Sequence, residues 1–256
     1  MDIKHALILG AVEGFTEFLP VSSTGHLILV AHMLGIPHDQ FTKSFEISIQ
    51  LGAIIAIVFL YFRRLLVDVE LWKKVAVAFL PTGILGFTLY RFIKGYLIGN
   101  DLLVVTMLVL GGFFLLFADR LCERFCYVGD VKNLSYSKAI VVGFFQSLAM
   151  IPGVSRSGAT IIGGMLMGLN RKTAAEFSFL LAVPTMLIAT SYDLFRSHAE
   201  FQIDQWQILA VGFITAFIFA LLSVKAMLAF LSKHSFLPFG IYRIIVGLLY
   251  AYFFLL

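Results

Sequence analysis

The sequence predicts an all-α polytopic membrane protein built from two inverted repeats, and three observations support this fold class. Hydrophobic residues make up 60% of the chain and charged residues only 13%, a composition that would cover a soluble protein with exposed apolar patches. Apolar runs continue along nearly all of residues 1–256, so we expect a single membrane domain. Two similar polar segments, rich in Pro, Gly and Ser, interrupt these runs.

Six uninterrupted apolar runs account for the membrane crossings. Each is close to the roughly 20 residues that a helix needs to cross the hydrocarbon core of a bilayer. They predict transmembrane helices at about 46–62, 74–91, 101–118, 174–193, 206–225 and 239–256.

Two further apolar stretches, at about 3–36 and 138–169, are each broken halfway by a polar segment. The segments read EGFTEFLPVSSTGH at 13–26 and QSLAMIPGVSRSGAT at 146–160. The apolar arms on either side have only about 12 to 17 residues, too few to span a bilayer. We therefore predict two re-entrant helix–loop–helix pairs, since irregular backbone at membrane depth is tolerated where it lines a cavity.

The two polar segments belong to an internal repeat. One constant offset in numbering aligns them without a gap and matches Gly10 with Gly143, Val21 with Val154, Ser22 with Ser155 and Gly25 with Gly158. Each copy, at about 1–118 and about 138–256, then contains one re-entrant pair and three transmembrane helices. Because three is an odd number of crossings, the second copy is expected to be inverted relative to the first.

The distribution of positive charge gives an orientation. With the loop after the first span in the cytoplasm, twelve Lys and Arg residues fall on the cytoplasmic side and five on the other, leaving Arg156 and Arg243 within the membrane. The positive-inside rule favours this arrangement. Both termini then face outward, and the two re-entrant loops meet near the middle of the membrane. The charges form no basic stripe, so we expect no nucleic-acid partner.

Two acidic residues lie in the first polar segment. Glu13 and Glu17 are four residues apart, so both side chains share one face of a helix. Two carboxylates in a low-dielectric site repel each other, which favours proton uptake by one of them and suits a proton donor or acceptor. Alternatively, the pair holds a divalent cation against a phosphate, since hard cations prefer carboxylate oxygens. A further alternative is that both face water at a helix end.

Hydroxyl groups and a histidine follow the acidic residues. Ser22, Ser23 and Thr24 lie after Pro20, where the chain breaks before the next helix, and a helix N-terminus readily binds an anion. The same three residues are also a common helix-capping sequence. His26 adds a group that can hold or pass on a proton near neutral pH, although a histidine in an apolar helix more often serves only packing.

The second polar segment carries Arg156 between Ser155 and Ser157. An arginine is always charged and its planar fork matches phosphate oxygens, so at this depth it requires an anionic partner. We expect Glu17 to be that partner when the site is empty and a phosphate when it is full. The predicted phosphate-binding residues are Ser22, Thr24, Ser155, Arg156, Ser157 and Thr160. The competing interpretation is a purely structural Glu17–Arg156 pair that joins the two repeats.

Both polar segments closely resemble the two signature motifs of the bacterial undecaprenyl-diphosphate phosphatase family, also called the bacitracin-resistance family. The resemblance extends over essentially the whole chain and both motifs are long and ungapped. It implies hydrolysis of the terminal phosphate of a C55 isoprenyl diphosphate, which regenerates the carrier lipid of peptidoglycan synthesis. It also implies a bacterial inner-membrane protein whose active site opens to the periplasmic side.

The resemblance assigns roles to individual residues. The acidic motif of the family maps onto Glu13 and Glu17, its essential histidine onto His26 and its candidate nucleophilic serine onto Ser23. Its phosphate-binding motif maps onto Ser155, Arg156 and Ser157. We expect no tightly bound cofactor, although a divalent cation such as Mg²⁺ or Ca²⁺ is implied as an assisting ion, and the sequence contains no closed metal site. Whether Ser23 or a water molecule attacks the phosphorus stays open.

A lipid-phosphate transporter or flippase is the main alternative function. Inverted repeats, broken helices and an anion site near the middle of the membrane are also typical of secondary transporters. A second membrane-phosphatase superfamily is excluded, because the histidine and aspartate of its second signature would fall at Ile162 and Leu166.

Overall fold

The computed structural model describes residues 1–37, 39–97, 100–122, 129–197 and 203–255. These residues form ten α-helices joined by short turns: α1 (Ile3–Thr16), α2 (Ser23–Met33), α3 (Gln40–Val67), α4 (Val69–Phe92), α5 (Asp101–Cys122), α6 (Tyr136–Ser147), α7 (Arg156–Leu166), α8 (Arg171–Ser197), α9 (Ile203–Leu231) and α10 (Leu237–Phe254). The described part of the chain is therefore helical, as predicted. Arg124, which the charge count places in the cytoplasm, and residue 256, the predicted end of the last span, lie outside the described residues.

Five helices are long and apolar enough to cross a membrane, which fits a multi-pass membrane protein. They contain the spans Phe41–Val67, Asp101–Arg120, Arg171–Ser191, Gln205–Leu231 and Leu237–Phe254. Five of the six predicted crossings are thus confirmed as long apolar helices. The sixth predicted crossing, at 74–91, lies within α4. The described residues of α4 do not form one of the five candidate spans, so this crossing stays a prediction.

The two interrupted stretches fold as pairs of short helices. α1 and α6 have 14 and 12 residues, and α2 and α7 have 11 each. At about 1.5 Å of rise per residue, none of the four is long enough to cross a bilayer. Both second helices begin after a serine in the left-handed region of backbone conformation, Ser22 with φ of 70° and Ser155 with φ of 45°. The chain therefore turns sharply at both polar segments.

The short helices pack against the long ones, and α1 and α6 each leave large side chains exposed on one side. α1 packs on α9 and α6 packs on α4, while α3 contacts α8 and α5 contacts α10. The residue after Glu17, Phe18, is fully buried and its ring lies edge-on to that of Phe179, with centroids 5.3 Å apart. The first loop is thus anchored in the hydrophobic core beside α8.

Charged contacts join several helix ends at one end of the molecule. Arg171 donates from Nε to Asp119 at 2.5 Å, and the same carboxylate accepts the main-chain N–H of Phe236 at 2.7 Å. Arg64 pairs with Glu176 at 2.9 Å. The C-terminal ends of α3 and α5 and the N-terminal ends of α8 and α10 are therefore held together by these contacts.

Candidate active site

The two loops, together with α3, α4 and α8, line a cavity of about 220 Å³. The cavity volume is suited to a polar head group and not to a long hydrocarbon chain. Its polar lining residues are Glu17, Ser22, Ser23, Thr24, Gln50, Thr82, Gln146, Ser155, Arg156 and Thr185. Its remaining lining residues are Ala149, Met150, Ile151, Pro152, Gly153 and Met186.

Glu17 joins the two loops at this cavity. Its Oε2 accepts a hydrogen bond from Ser23 Oγ at 2.5 Å, and its Oε1 pairs with Arg156 Nη2 at 2.9 Å. Glu17 and Arg156 are both largely buried, so water screens their interaction only weakly. The expected pairing of Glu17 with Arg156 is therefore observed, and it places a hydroxyl, a carboxylate and a guanidinium at one point.

Further contacts fix the Arg156 side chain. Its Nη1 donates to the main-chain oxygen of Ser178 at 3.2 Å, and its guanidinium lies 5.8 Å from the centroid of the Phe18 ring. Its Nε–H has no acceptor among the described residues. The guanidinium therefore keeps donor capacity beyond its bond to Glu17, and a phosphate oxygen is the acceptor that its geometry suits.

The helix that follows the first loop has an uncapped N-terminus. Ser22 makes no side-chain capping bond to α2, whereas Ser155 Oγ accepts the N–H of Gly158 at 3.1 Å and so caps α7. Ser22, Ser23 and Thr24 all line the cavity, and Thr24 is exposed at the surface. The first amides of α2 consequently lack a capping side chain and lie beside a cavity, an arrangement that favours an anion.

Glu13 lies behind the cavity lining. Its side chain is fully buried, and neither carboxylate oxygen accepts a hydrogen bond from any described residue. Its carboxyl lies within hydrogen-bonding reach of the Glu17 carboxyl and near the charged groups of Glu46 and Arg156. Within the described residues, no three His, Cys, Asp or Glu side chains come together as a metal site. Glu13, whose oxygens accept no hydrogen bond from a described donor, and Glu17, whose oxygens bind Ser23 and Arg156, are the carboxylates that could contribute ligands to a hard cation also held by a bound phosphate.

His26 points away from the cavity and toward α10. Its Nδ1 is 2.8 Å from the main-chain oxygen of Ser22 and its Nε2 is 2.8 Å from the hydroxyl of Tyr242, whose ring stacks on it at 8°. A carbonyl oxygen can only accept, so Nδ1 carries the proton, and in the neutral ring Nε2 accepts from Tyr242. His26 is therefore linked to the reacting groups through the loop that carries Ser22.

Ser157 and Thr160 are buried outside the cavity lining. Ser157 Oγ donates to the main-chain oxygen of Leu19 at 2.6 Å and so connects the second loop to the first. Thr160 Oγ1 bonds to the main-chain oxygen of Arg156 at 2.8 Å and to Ser178 Oγ at 2.5 Å. Both hydroxyls thus contact the backbone that positions Arg156 or the adjacent loop.

One wall of the cavity was not predicted from the sequence. Gln146 donates from Nε2 to Thr82 Oγ1 at 2.9 Å and accepts from Thr185 Oγ1 at 3.3 Å. Thr82 in turn donates to the main-chain oxygen of Gly143 at 3.0 Å. Thr82 and Thr185 are isolated hydroxyl residues in apolar helices, and their proximity to proline at 81 and 184 was the only local sequence signal.

The chain is similar to known proteins over nearly its whole length, which includes every residue that lines the cavity. A family model described as bacitracin resistance protein BacA matches residues 6–249. A protein from Aquifex aeolicus (strain VF5) named undecaprenyl-diphosphatase is 65% identical over 251 residues, which cover 98% of each chain. Undecaprenyl-diphosphatases from Sulfurihydrogenibium sp. (strain YO3AOP1) and Thermus thermophilus are 55% and 54% identical over 98% of this chain.

Proposed function

Because this chain belongs to the BacA family of bacitracin resistance proteins, we propose that its cavity is where undecaprenyl diphosphate is hydrolysed to undecaprenyl phosphate and inorganic phosphate. The chain is an enzyme, an undecaprenyl-diphosphate phosphatase, and its product is the carrier lipid used in peptidoglycan synthesis. The observation that carries the assignment of the site is the bridging position of Glu17, which binds the hydroxyl of Ser23 and the guanidinium of Arg156 at once.

The diphosphate binds between the two loops. Arg156 turns its free donor capacity toward the terminal phosphate, and the uncapped amides of α2 with the hydroxyls of Ser22 and Thr24 bind further oxygens. Ser155 contributes from the opposite wall, while Ser157 and Thr160 act indirectly by holding the backbone around Arg156. Charge stabilisation and positioning are what phosphoryl transfer chiefly requires.

Ser23 is the proposed nucleophile, since its hydroxyl already donates to a carboxylate. Ser23 Oγ attacks the terminal phosphorus while Glu17 takes its proton, and the bond from phosphorus to the bridging oxygen breaks to release undecaprenyl phosphate. Glu17 passes that proton to the oxygen of the departing undecaprenyl phosphate and is again a carboxylate. Water then attacks the phosphoserine and gives a proton to Glu17, and the bond from phosphorus to Ser23 Oγ breaks as Glu17 returns this proton to that oxygen and inorganic phosphate leaves. His26 and Tyr242 hold the Ser22 backbone through this cycle.

Direct attack by water is the alternative that this chemistry leaves open. Acid quenching of the enzyme with substrate labelled in the terminal phosphate distinguishes the two. A labelled peptide containing Ser23, absent from Ser23→Ala, supports covalent catalysis. Continued hydrolysis by Ser23→Ala with no labelled peptide in the wild type would assign the attack to water.

Glu13 and Glu17 are the residues that would hold an assisting Mg²⁺ or Ca²⁺. Such an ion would offset the negative charge of the diphosphate. The support is the fully buried Glu13 carboxyl, which accepts no hydrogen bond from a described donor and is costly unless a proton or a cation neutralises it.

We further propose that residues 1–256 form one membrane domain of two inverted repeats. α2 and α7 have the same length, and the numbering offset that aligns the polar segments also matches their first and last residues. The packing of α1 on α9 matches that of α6 on α4, and α3 with α8 and α5 with α10 pair as equivalent helices. These contacts support a two-fold relationship between the copies.

An inner-membrane location with the cavity open to the periplasm is part of the same proposal. The charged contacts among α3, α5, α8 and α10 lie at the end where the excess of Lys and Arg falls, which supports placing that end in the cytoplasm. Thr24, which both lines the cavity and is exposed, marks where the head group enters, and the C55 chain then lies outside against apolar helix surfaces.

Release of inorganic phosphate by the purified protein in detergent tests the proposal. Undecaprenyl and farnesyl diphosphate are supplied with and without a chelator to wild type, Glu17→Ala, Arg156→Ala and the control Ser48→Ala. Ser48 is a suitable control because its hydroxyl bonds within α3, to the main-chain oxygen of Ser44 at 2.6 Å, and does not line the cavity. We expect release from wild type and the control alone. Undiminished release by both site variants would contradict the assignment of the site.

The same assay separates hydrolysis from transport. Broken helices around a polar cavity also suit a lipid-phosphate carrier or flippase, and the pairwise helix contacts support that architecture equally. A carrier alone releases no phosphate in detergent, where no gradient exists. Folded wild-type protein that binds the lipid without releasing phosphate would therefore favour the carrier.

A further inference from the structure

Arg243 is a buried cation that the proposed chemistry does not use. It lies on α10, it is only 2% exposed, and no described acidic residue pairs with it. It donates instead to four main-chain oxygens: from Nε to Leu108 at 3.2 Å, from Nη1 to Pro20 at 3.2 Å, and from Nη2 to Met107 at 2.9 Å and Gly153 at 2.7 Å. A charge buried this deeply is costly, so an arginine here requires a specific reason.

The four oxygens come from three separate segments. Met107 and Leu108 belong to α5, Pro20 to the first loop and Gly153 to the second. Pro20 and Gly153 align with each other at the offset that relates the two polar segments, so they are equivalent positions of the two repeats. Each lies two positions before the serine with positive φ that starts the next helix. One guanidinium thus binds the same point of both loops and fastens them to α5.

The sequence of α5 makes room for this side chain. A Cβ atom at Gly111 would collide with the guanidinium of Arg243, and one at Gly112 would lie 3.1 Å from the Cβ of Arg243. Gly153 is equally constrained, with φ of 93° and no space for a side chain against α5. Only a planar group with several donors in fixed directions reaches all four oxygens, and lysine offers no such fork.

We propose that Arg243 is a positioning residue for hydrolysis, which sets the spacing of the two loops so that Ser23 and Arg156 meet on Glu17. It does not line the cavity and is not a catalytic residue. This inference rests on the proposed function, because the spacing matters only if groups from both loops act on one phosphate. Misplacement of reacting groups by about 1 Å can cost roughly 100-fold in rate.

The kinetic test compares Arg243→Lys, Gly111→Ala and Arg171→Gln in detergent. Gly111→Ala displaces the guanidinium from a different helix, and Arg171→Gln removes a charged contact at the far end of α5. We expect kcat to fall about 100-fold in Arg243→Lys and about 10-fold in Gly111→Ala with KM changed little, because binding groups remain while their alignment is lost. Arg171→Gln should lower the melting temperature and leave kcat near that of the wild type.

A distance measurement tests the inference without relying on activity. Spin labels are placed at the exposed, equivalent positions Phe15 and Leu148, beside the two loops, after replacement of Cys122 and Cys126 by alanine. Pulsed electron–electron double resonance should give a broadened or shifted distance distribution in Arg243→Lys, and an unchanged one in Arg171→Gln.

The two measurements separate the possible failures. An unchanged distribution together with wild-type kcat in folded Arg243→Lys would overturn the positioning role. The loss of kcat in Arg243→Lys and Arg171→Gln could instead follow the fall in melting temperature of each variant. Arg243 would then serve only the stability of the fold, and the positioning role would be overturned as well. A changed distribution with no phosphate release from the wild type would support the loop spacing and contradict the proposed function instead.

Discussion

The two helix–loop–helix pairs of this molecule share a backbone but not their chemistry. α1 with α2 and α6 with α7 both break at a polar segment and resume after a serine with positive φ, at positions that one numbering offset relates. The conformation is therefore set by what the two segments have in common, a proline or glycine followed two positions later by a serine. Groups that react with a phosphate are found among the positions where they differ.

Those differences divide the charges between the loops. The positions of Glu13, Glu17, Ser23 and His26 in the first pair are occupied in the second by Gln146, Met150, Arg156 and Ala159. The first pair thus contributes the acids and the candidate nucleophile, and the second contributes the cation. Ser23 and Arg156 occupy positions that one numbering offset relates, and both bind Glu17, so opposite chemistry meets at one carboxylate.

The contrast between Glu13 and Gln146 is the most informative. Gln146 is bonded to Thr82 and Thr185, whereas the oxygens of Glu13 accept no hydrogen bond from a described donor and lie near another carboxyl, that of Glu17. Buried polar groups in proteins are normally hydrogen-bonded. The satisfied amide therefore supports the structure, and the unsatisfied carboxyl indicates a functional role.

The largest expected effect is that of Glu17→Gln, which keeps the shape of the side chain and removes the base. Hydrolysis should fall about 1000-fold, because a proton acceptor in the transition state contributes roughly 100- to 10,000-fold. Initial rates of phosphate release measure it. Glu176→Gln is the control, since it breaks an ion pair with Arg64 outside the cavity, and an equal loss in both variants would mean that Glu17 acts only as a structural partner.

Arg156→Lys tests the contribution of the second loop. A lysine keeps the positive charge but loses the fork that binds Glu17 and the phosphate, so we expect hydrolysis to fall about 100-fold. Arg171→Lys, at the charged end of the molecule, should leave hydrolysis nearly unchanged. Wild-type rates in Arg156→Lys would show that a point charge suffices and that the fork geometry of the cation is not needed.

Exchanging the equivalent residues tests the contrast between Glu13 and Gln146 directly. Glu13→Gln should lower hydrolysis by about 10-fold while leaving the melting temperature unchanged or raised, because an unpaired buried carboxyl is removed. Gln146→Glu should destabilise the fold by roughly 3 kcal/mol, since it buries a carboxyl among bonded hydroxyls. Thermal unfolding and phosphate release are measured on the same preparations. A destabilised Glu13→Gln would show that this carboxyl is structural.

If Glu13 helps to hold a cation, stimulation of wild-type hydrolysis by added Mg²⁺ or Ca²⁺ should be lost in Glu13→Gln. Equal stimulation of both proteins would exclude Glu13 from that role and leave proton transfer as its contribution.

Much of this architecture was predictable from the sequence, because it depends on local pattern. Apolar runs of spanning length gave the long helices, and the polar interruptions gave the short ones, with the predicted breaks close to Ser22 and Ser155. The long helices extend beyond the apolar runs, since polar ends such as the Asp39 cap of α3 continue the helix outside the hydrocarbon. Helix bounds are therefore less predictable than helix number.

The pairing of Glu17 with Arg156 was predictable because both charged residues lie in the polar segments of an otherwise apolar chain, where few other charged partners are present. The positions of Gln50, Thr82, Tyr242 and Arg243 around the loops depend on how distant helices pack, and no local pattern encodes that. Arg243 did have a signal, as a charged residue within an apolar span, but its four main-chain partners are up to 223 residues away.

The smallest expected effect concerns the His26–Tyr242 contact, which the second pair lacks because Ala159 replaces the histidine. Tyr242→Phe removes one hydrogen bond, typically worth about 0.5–1.5 kcal/mol, so hydrolysis should fall only about 2- to 10-fold. Tyr252→Phe, on the same helix and exposed, is the matched control. Because Tyr242 is proposed to act through His26, the double variant with His26→Ala should be no slower than His26→Ala alone. If the two losses multiply instead, Tyr242 contacts the substrate independently of His26. The stacked His26–Tyr242 pair would then belong to the head-group site and would not act only by holding the Ser22 backbone.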